Sequence, residues 1–188
     1  MKRFLVSLLL IACVAFVGFA ADGTEEGLIL GEPVAVTSAG QSPGALQFTV
    51  VAKMIKLEYT FEKLLSVDSI DISQFKTLVL VVGASGKGLG AANIDIEAEI
   101  LRVKSLAEAA KENGLKVVIC NLEGESRRGP SSDRIVTELA PFADAYFVKS
   151  DADQDGFFTA LSEEAGVPMA TFEKTVDLRD VLTKYFGK

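Results

Sequence analysis

Three short segments hold most of the side chains that could meet a ligand. Thr37-Ser38-Ala39-Gly40-Gln41-Ser42 offers hydroxyls and an amide. Gly83-Ala84-Ser85-Gly86-Lys87-Gly88-Leu89-Gly90 offers a hydroxyl, a cation and bare backbone N–H groups, and Gly124-Glu125-Ser126-Arg127-Arg128-Gly129 offers two guanidinium groups. Donors and cations of this kind suit an oxyanion such as phosphate, sulfate or carboxylate, since each directs a hydrogen bond or a positive charge at oxygen. The candidate ligand contacts are therefore Ser38, Gly40, Gln41, Ser42, Ser85, Gly86, Lys87, Gly88, Arg127 and Arg128. A competing reading stays open, in which the glycines serve tight turns and the arginines pair with Glu123, Glu125 or Asp133.

The sequence contains no histidine. Ser-His-Asp and Cys-His mechanisms, histidine metal sites and the usual zinc ligand sets are thereby excluded. A histidine-free hydrolase or transferase would use Ser38, Ser42, Ser85 or Ser126 as nucleophile activated by Lys87, or else a carboxylate from Glu123 or Glu125. Ser85-Gly86-Lys87, however, lacks the Ser-x-x-Lys spacing. Binding is favoured over catalysis.

The familiar cofactor motifs do not fit. Gly86-Lys87 suggests a P-loop, but Val81 stands where the pattern needs glycine and Gly88 where it needs Ser or Thr. Gly86, Gly88 and Ala91 follow the spacing of a dinucleotide fingerprint in its alanine form, but behind the third strand rather than the first. No cofactor is expected. Asp151, Asp153 and Asp155, followed by Gly156, copy the first half of a calcium loop, but Ser162 occupies the twelfth position where a bidentate glutamate belongs. The three aspartates are a weak metal candidate.

Parallel strands and crossover helices must position these loops. Six runs rich in Val, Ile, Leu and Phe read as strands: 34–37, 57–61, 77–82, 116–121, 145–149 and 167–172. The third and fourth are apolar at both parities, as buried parallel strands are. In the second, Leu57, Tyr59 and Phe61 alternate with Glu58, Thr60 and Glu62, which suits an edge. Helical spacing follows Ser42-Pro43, with serine as cap and proline in the first turn, and recurs over 95–113, 132–140, 157–165 and 176–186. Residues 68–75 fit a short turn or helix. Strands alternating with helices predict a doubly wound, mostly parallel sheet of the flavodoxin-like order 2-1-3-4-5 extended by a sixth strand, with the Rossmann order as alternative. Ligands then bind beyond the carboxyl ends of the strands, where strand order reverses.

The amino terminus carries Lys2 and Arg3, an apolar run from Phe4, and Gly18-Phe19-Ala20 before Ala21-Asp22, the pattern of a secretory signal cleaved after residue 20. The alternatives are lipidation at Cys13, in Leu10-Ile11-Ala12-Cys13, and an uncleaved anchor. Cleavage predicts an exported protein with a short tether over 21–31, a single α/β domain over 32–188 and no membrane span. Loss of Lys2 and Arg3 takes the formal charge from −7 to −9, which disfavours nucleic acid and anionic lipid as partners. Cys120 would be the one remaining cysteine, in the apolar run KVVICNL, and reads as core.

TSAGQSPGAL, VVGASGKGLGAANID and EGESRRGPSSD, each following a strand, together resemble the uncharacterised family named domain of unknown function 6305. The resemblance covers the expected mature chain and implies an exported bacterial α/β protein. No activity comes with it. The small-anion reading therefore rests on the loops themselves, with a histidine-free enzyme and a cell-envelope scaffold or partner subunit as its alternatives.

Overall fold

The computed structural model describes residues 27–188. The predicted signal segment, Cys13 and residues 21–26 of the tether lie outside the described residues. Six strands form one parallel sheet: β1 (Val34–Ala39), β2 (Tyr59–Phe61), β3 (Thr77–Val82), β4 (Lys116–Asn121), β5 (Ala145–Lys149) and β6 (Met169–Phe172), in the order β2-β1-β3-β4-β5-β6. This is the predicted flavodoxin-like order with a sixth strand at the far edge. The alternating second strand lies at the other edge, with Thr60 exposed and Tyr59 and Phe61 half-buried.

Side-chain alternation along the central strands builds two cores. Leu78, Leu80 and Val82 of β3 face a cluster with Val117, Ile119, Tyr146 and Val148. That face is covered by α3 (Ile96–Glu112), α4 (Pro130–Leu139) and α5 (Phe157–Ala165), through Ile100, Val103, Leu106, Ile135, Leu139 and Phe158. Val79 and Val81 point the other way, joining Val34, Val36, Val118 and Phe147 under α1 (Gly44–Met54) and α6 (Leu178–Phe186). Cys120 belongs to this second core, and burial pushes its thiol pKa up, so it behaves as a small apolar side chain.

Right-handed crossovers explain the layering. The step from β1 outward to β2 uses α1 on one face, whereas the steps from β3 to β6 run in the opposite direction and put α3, α4 and α5 on the other. The direction of winding therefore reverses between β1 and β3. Two elements differ from the sequence reading. The glycine-rich segment after β3 forms a short helix, α2 (Gly86–Ala91), capped by Ser85, because a serine accepting the Gly88 N–H offsets the poor helix propensity of glycine. The segment after β4 closes as a 3₁₀ turn over Gly124–Arg127.

Candidate functional site

At the reversal point the loops after β1 and β3 are pressed together. Gln41 and Ala84 form an isolated antiparallel bridge. Ser42 N donates to the Gly83 carbonyl at 3.1 Å, and Ser85 N donates to the Gly40 carbonyl at 2.8 Å. Two glycines make this approach possible. Gly40 adopts φ +111°, and a Cβ there would lie 2.5 Å from the Gly83 oxygen; a Cβ on Gly88 would overlap the Gln41 carbonyl oxygen. Gly88→Ala is thus expected to part the two loops and lower stability by about 1–3 kcal/mol, read as a fall in the urea midpoint at unchanged m value. A midpoint equal to the parent's would contradict this packing.

The bridge rests on an ion pair that sequence reading missed. Glu99 of α3 is completely buried and Arg102, one turn on, is 11% exposed. Arg102 donates to both Glu99 carboxylate oxygens, at 2.9 and 2.8 Å, and to the carbonyls of Ser38 and Leu65, each at 2.5 Å. Glu99 Oε1 also accepts from Gly40 N at 2.7 Å and from Gln41 Nε2 at 2.9 Å. Gln41 is held at φ +64°, the left-handed region that costs a non-glycine residue about 1 kcal/mol or more. Its Nε2 also donates to the Lys63 carbonyl, while its Oε1 is buried without a hydrogen-bond partner among the described residues.

In front of this platform opens a cleft of about 430 Å³, lined by Gln41, Ser42, Pro43, Leu46, Phe61, Lys63, Ser85, Lys87 and Gly88. Lys63 and Lys87 are exposed, and among the described residues neither forms an ion pair. Five predicted contacts therefore share one cavity: Gln41, Ser42, Ser85, Lys87 and Gly88. Lys63 and Phe61 were missed, although an edge strand beside β1 has to end near the reversal point, a signal the alternating pattern of residues 57–62 already carried. Ser38 and Gly40 sit behind the cleft, buried. Ser38 Oγ lies 3.4 Å from the Ser42 carbonyl.

The third loop goes elsewhere. Arg127 pairs with Glu123 at 3.0 Å, and the other oxygen of Glu123 accepts from Gly44 N, also at 3.0 Å. Glu123 therefore occupies the amino terminus of α1, where the sequence reading expected Ser42 to cap; Ser42 Oγ is only a distant acceptor from Gly44 N at 3.4 Å. Gly86 and Arg128 line a different hollow of about 270 Å³ with Leu89 and Pro130. Arg128 binds Asp133 and Asp155 with two hydrogen bonds each, donates to the Ala152 carbonyl, and stacks over Phe157 at 4.6 Å. Of the two readings open at the sequence level, ion pairing describes both arginines.

The three aspartates of the calcium-like segment are likewise engaged separately. Asp151 pairs with Lys149 at 2.6 Å, Asp153 accepts from Phe158 N at 2.6 Å at the start of α5, and Asp155 binds Arg128. Among the described residues, no group of three or more His, Cys, Asp or Glu could hold a metal ion. No helix among them is long and apolar enough to cross a membrane. Ser85 uses its hydroxyl to cap α2 and makes no hydrogen bond to Lys87.

These features define the protein as an open, doubly wound α/β domain with a cleft at its topological reversal that combines two lysines with a largely apolar lining. The chain matches the family described as Domain of unknown function (DUF6305) over residues 31–186, and belongs to it. Curated proteins include no match. Solved structures with a remote likeness include one from Desulfitobacterium hafniense DCB-2, described as a lipolytic protein of the G-D-S-L family. It is 12% identical, with 73% of this chain and 75% of that chain covered and a TM-score of 0.36. A GDSL-like lipase from Bacteroides thetaiotaomicron VPI-5482 is 13% identical, with 73% and 66% covered and a TM-score of 0.34.

Proposed function

We propose that this protein is an exported binding protein for a small anion of phosphate or carboxylate type, held in the cleft between the loops after β1, β2 and β3. The observation that carries this reading is the pair of lysines, Lys63 and Lys87, lining one cavity at the reversal point without a carboxylate partner among the described residues. In a chain of net charge −7, two cations left available in a concave site are a local exception to the surrounding field, and such a site attracts anions. Ser42, Ser85 and Gln41 line the same cavity as sources of hydrogen bonds. Arg127 and Arg128 are not part of this site, since carboxylates of the chain already hold them.

Lys87→Ala and Lys63→Ala test the reading, because both side chains are exposed and their loss should leave the fold intact. A ligand at about 100 times its Kd stabilises the folded state by about 2.7 kcal/mol, or on the order of 5–10 °C for a chain of this size. Thermal unfolding of the parent is expected to shift upward in phosphate or in a small carboxylate. Each single variant should show less than half that shift at the same concentration. Equal shifts in parent and variants, or none in the parent, would remove the proposal.

The exported location rests on the charged start, the apolar run and the small residues before Ala21. Intact mass of the protein recovered from its native source should correspond to a chain beginning at Ala21. A chain retaining Met1, or a diacylglycerol mass on Cys13, would contradict cleavage at that site.

A further inference from the structure

The cleft is not evenly polar. Gln41, Lys63, Ser85 and Lys87 line it together with Pro43, Leu46 and Phe61. Leu46 stands 60% exposed in the first turn of α1, and Phe61 is half-buried at the end of the edge strand. An inorganic anion would engage the lysines and leave this apolar wall in water. The available volume, about 430 Å³, falls in the range that small organic ligands fill, roughly 300–1,000 Å³.

We infer that the ligand is an organic carboxylate with a compact apolar body, aromatic or branched, its carboxylate between Lys63 and Lys87 and its body against Phe61 and Leu46. The inference rests on the anion-binding reading and narrows it. Burial of the body against the wall adds a hydrophobic contribution that phosphate and acetate lack. Charge alone gives the latter two comparable and weak binding, because both lysines are exposed and screened. A neutral molecule of the same shape loses the lysines and keeps only the wall.

Titration calorimetry of the purified protein with inorganic phosphate, acetate, phenylacetate and 2-phenylethanol separates these contributions. Phenylacetate is expected to bind at least tenfold more tightly than acetate or phosphate, and at least tenfold more tightly than 2-phenylethanol. Leu46→Ser changes a position already exposed and is expected to cut the phenylacetate advantage severalfold, and Phe61→Ala should cut it further. Acetate or phosphate binding as tightly as phenylacetate would overturn the inference while the anion reading stands. Binding of 2-phenylethanol equal to that of phenylacetate would also overturn it, by showing that the carboxylate is not recognised. Absence of binding by all four would overturn both.

Discussion

Glu99→Ala is expected to destabilise the protein by about 3–5 kcal/mol, the largest loss for any single side chain outside the apolar core. The physical reason is burial. Glu99 is inaccessible to solvent and neutralises Arg102, itself 11% exposed; removing the carboxylate leaves a guanidinium in a poorly hydrated site and takes the acceptor from Gly40 N and Gln41 Nε2. Arg102→Met should cost a similar amount, since it strands the carboxylate and frees the carbonyls of Ser38 and Leu65. Joining Arg102→Met to Glu99→Leu should recover part of the loss, because an apolar pair of similar volume removes both charges together. Urea denaturation of Glu99→Leu, Arg102→Met and the double variant measures the coupling. A loss below about 1 kcal/mol for Glu99→Ala would show that the pair does not anchor the loops.

The second large effect is at Arg128. Arg128→Ala is expected to cost about 2–3 kcal/mol, less than Glu99→Ala because its partners are better hydrated. Its own side chain is 14% exposed, whereas Asp133 is 30% and Asp155 60% exposed. The loss combines two bidentate pairs, the bond to the Ala152 carbonyl and stacking on Phe157. Asp155→Asn alone should cost much less than Arg128→Ala, because Asp155 is exposed and screened by solvent. The Arg128 hydrogen bonds hold the Asp155 carboxyl down at about 2. A carboxyl depressed in the folded state stabilises it above the ordinary carboxylate range and ceases to do so as pH falls through about 2. Stability measured from pH 5 down to about 2 should therefore fall less steeply for Asp155→Asn than for the parent. Superimposable pH profiles would contradict that assignment.

The strands were legible because β3, β4 and β5 are short, mostly apolar runs rich in Val, Ile, Leu and aromatic residues, and the edge position of β2 because its charges alternate. Chain order then left little freedom: right-handed crossovers with a wet second strand lead to the reversal between β1 and β3. The loop after β1 and the loop after β3 were legible as neighbours for the same reason, and five of the predicted contacts share the cleft.

The partners of charged groups were less legible, since pairing depends on distances in space. Arg128 finds Asp133 five residues away, which sequence proximity suggested, and also Asp155, 27 residues away, which it could not. Glu123 and the amino terminus of α1 are joined by the sheet alone; sequence separation between Gly44 and Glu123 is 79. Glu99 is a different case, because a signal existed. Ile100, Val103, Leu106 and Ala107 mark the buried stripe of α3, and Glu99 falls on that stripe, one turn before Val103. An acidic residue at a core position, with Arg102 one turn later, is itself evidence of a buried pair.

The glycines divide in the same way. Gly40 and Gly88 are required where two backbones meet, whereas Gly86 lines the separate hollow beside Arg128 and has nothing near its Cβ position. A glycine-rich string that looked like one ligand cradle is thus partly a packing device.

The most direct measurement is a map of backbone amide resonances during titration with a small carboxylate. Concentration-dependent shifts are expected at Gln41, Ser42, Lys63, Ser85, Lys87 and Gly88, with the amides of Arg128, Asp133 and Asp155 unmoved. Shifts confined to the Arg128 region, or no saturable shift at any amide, would contradict binding in the lysine cleft.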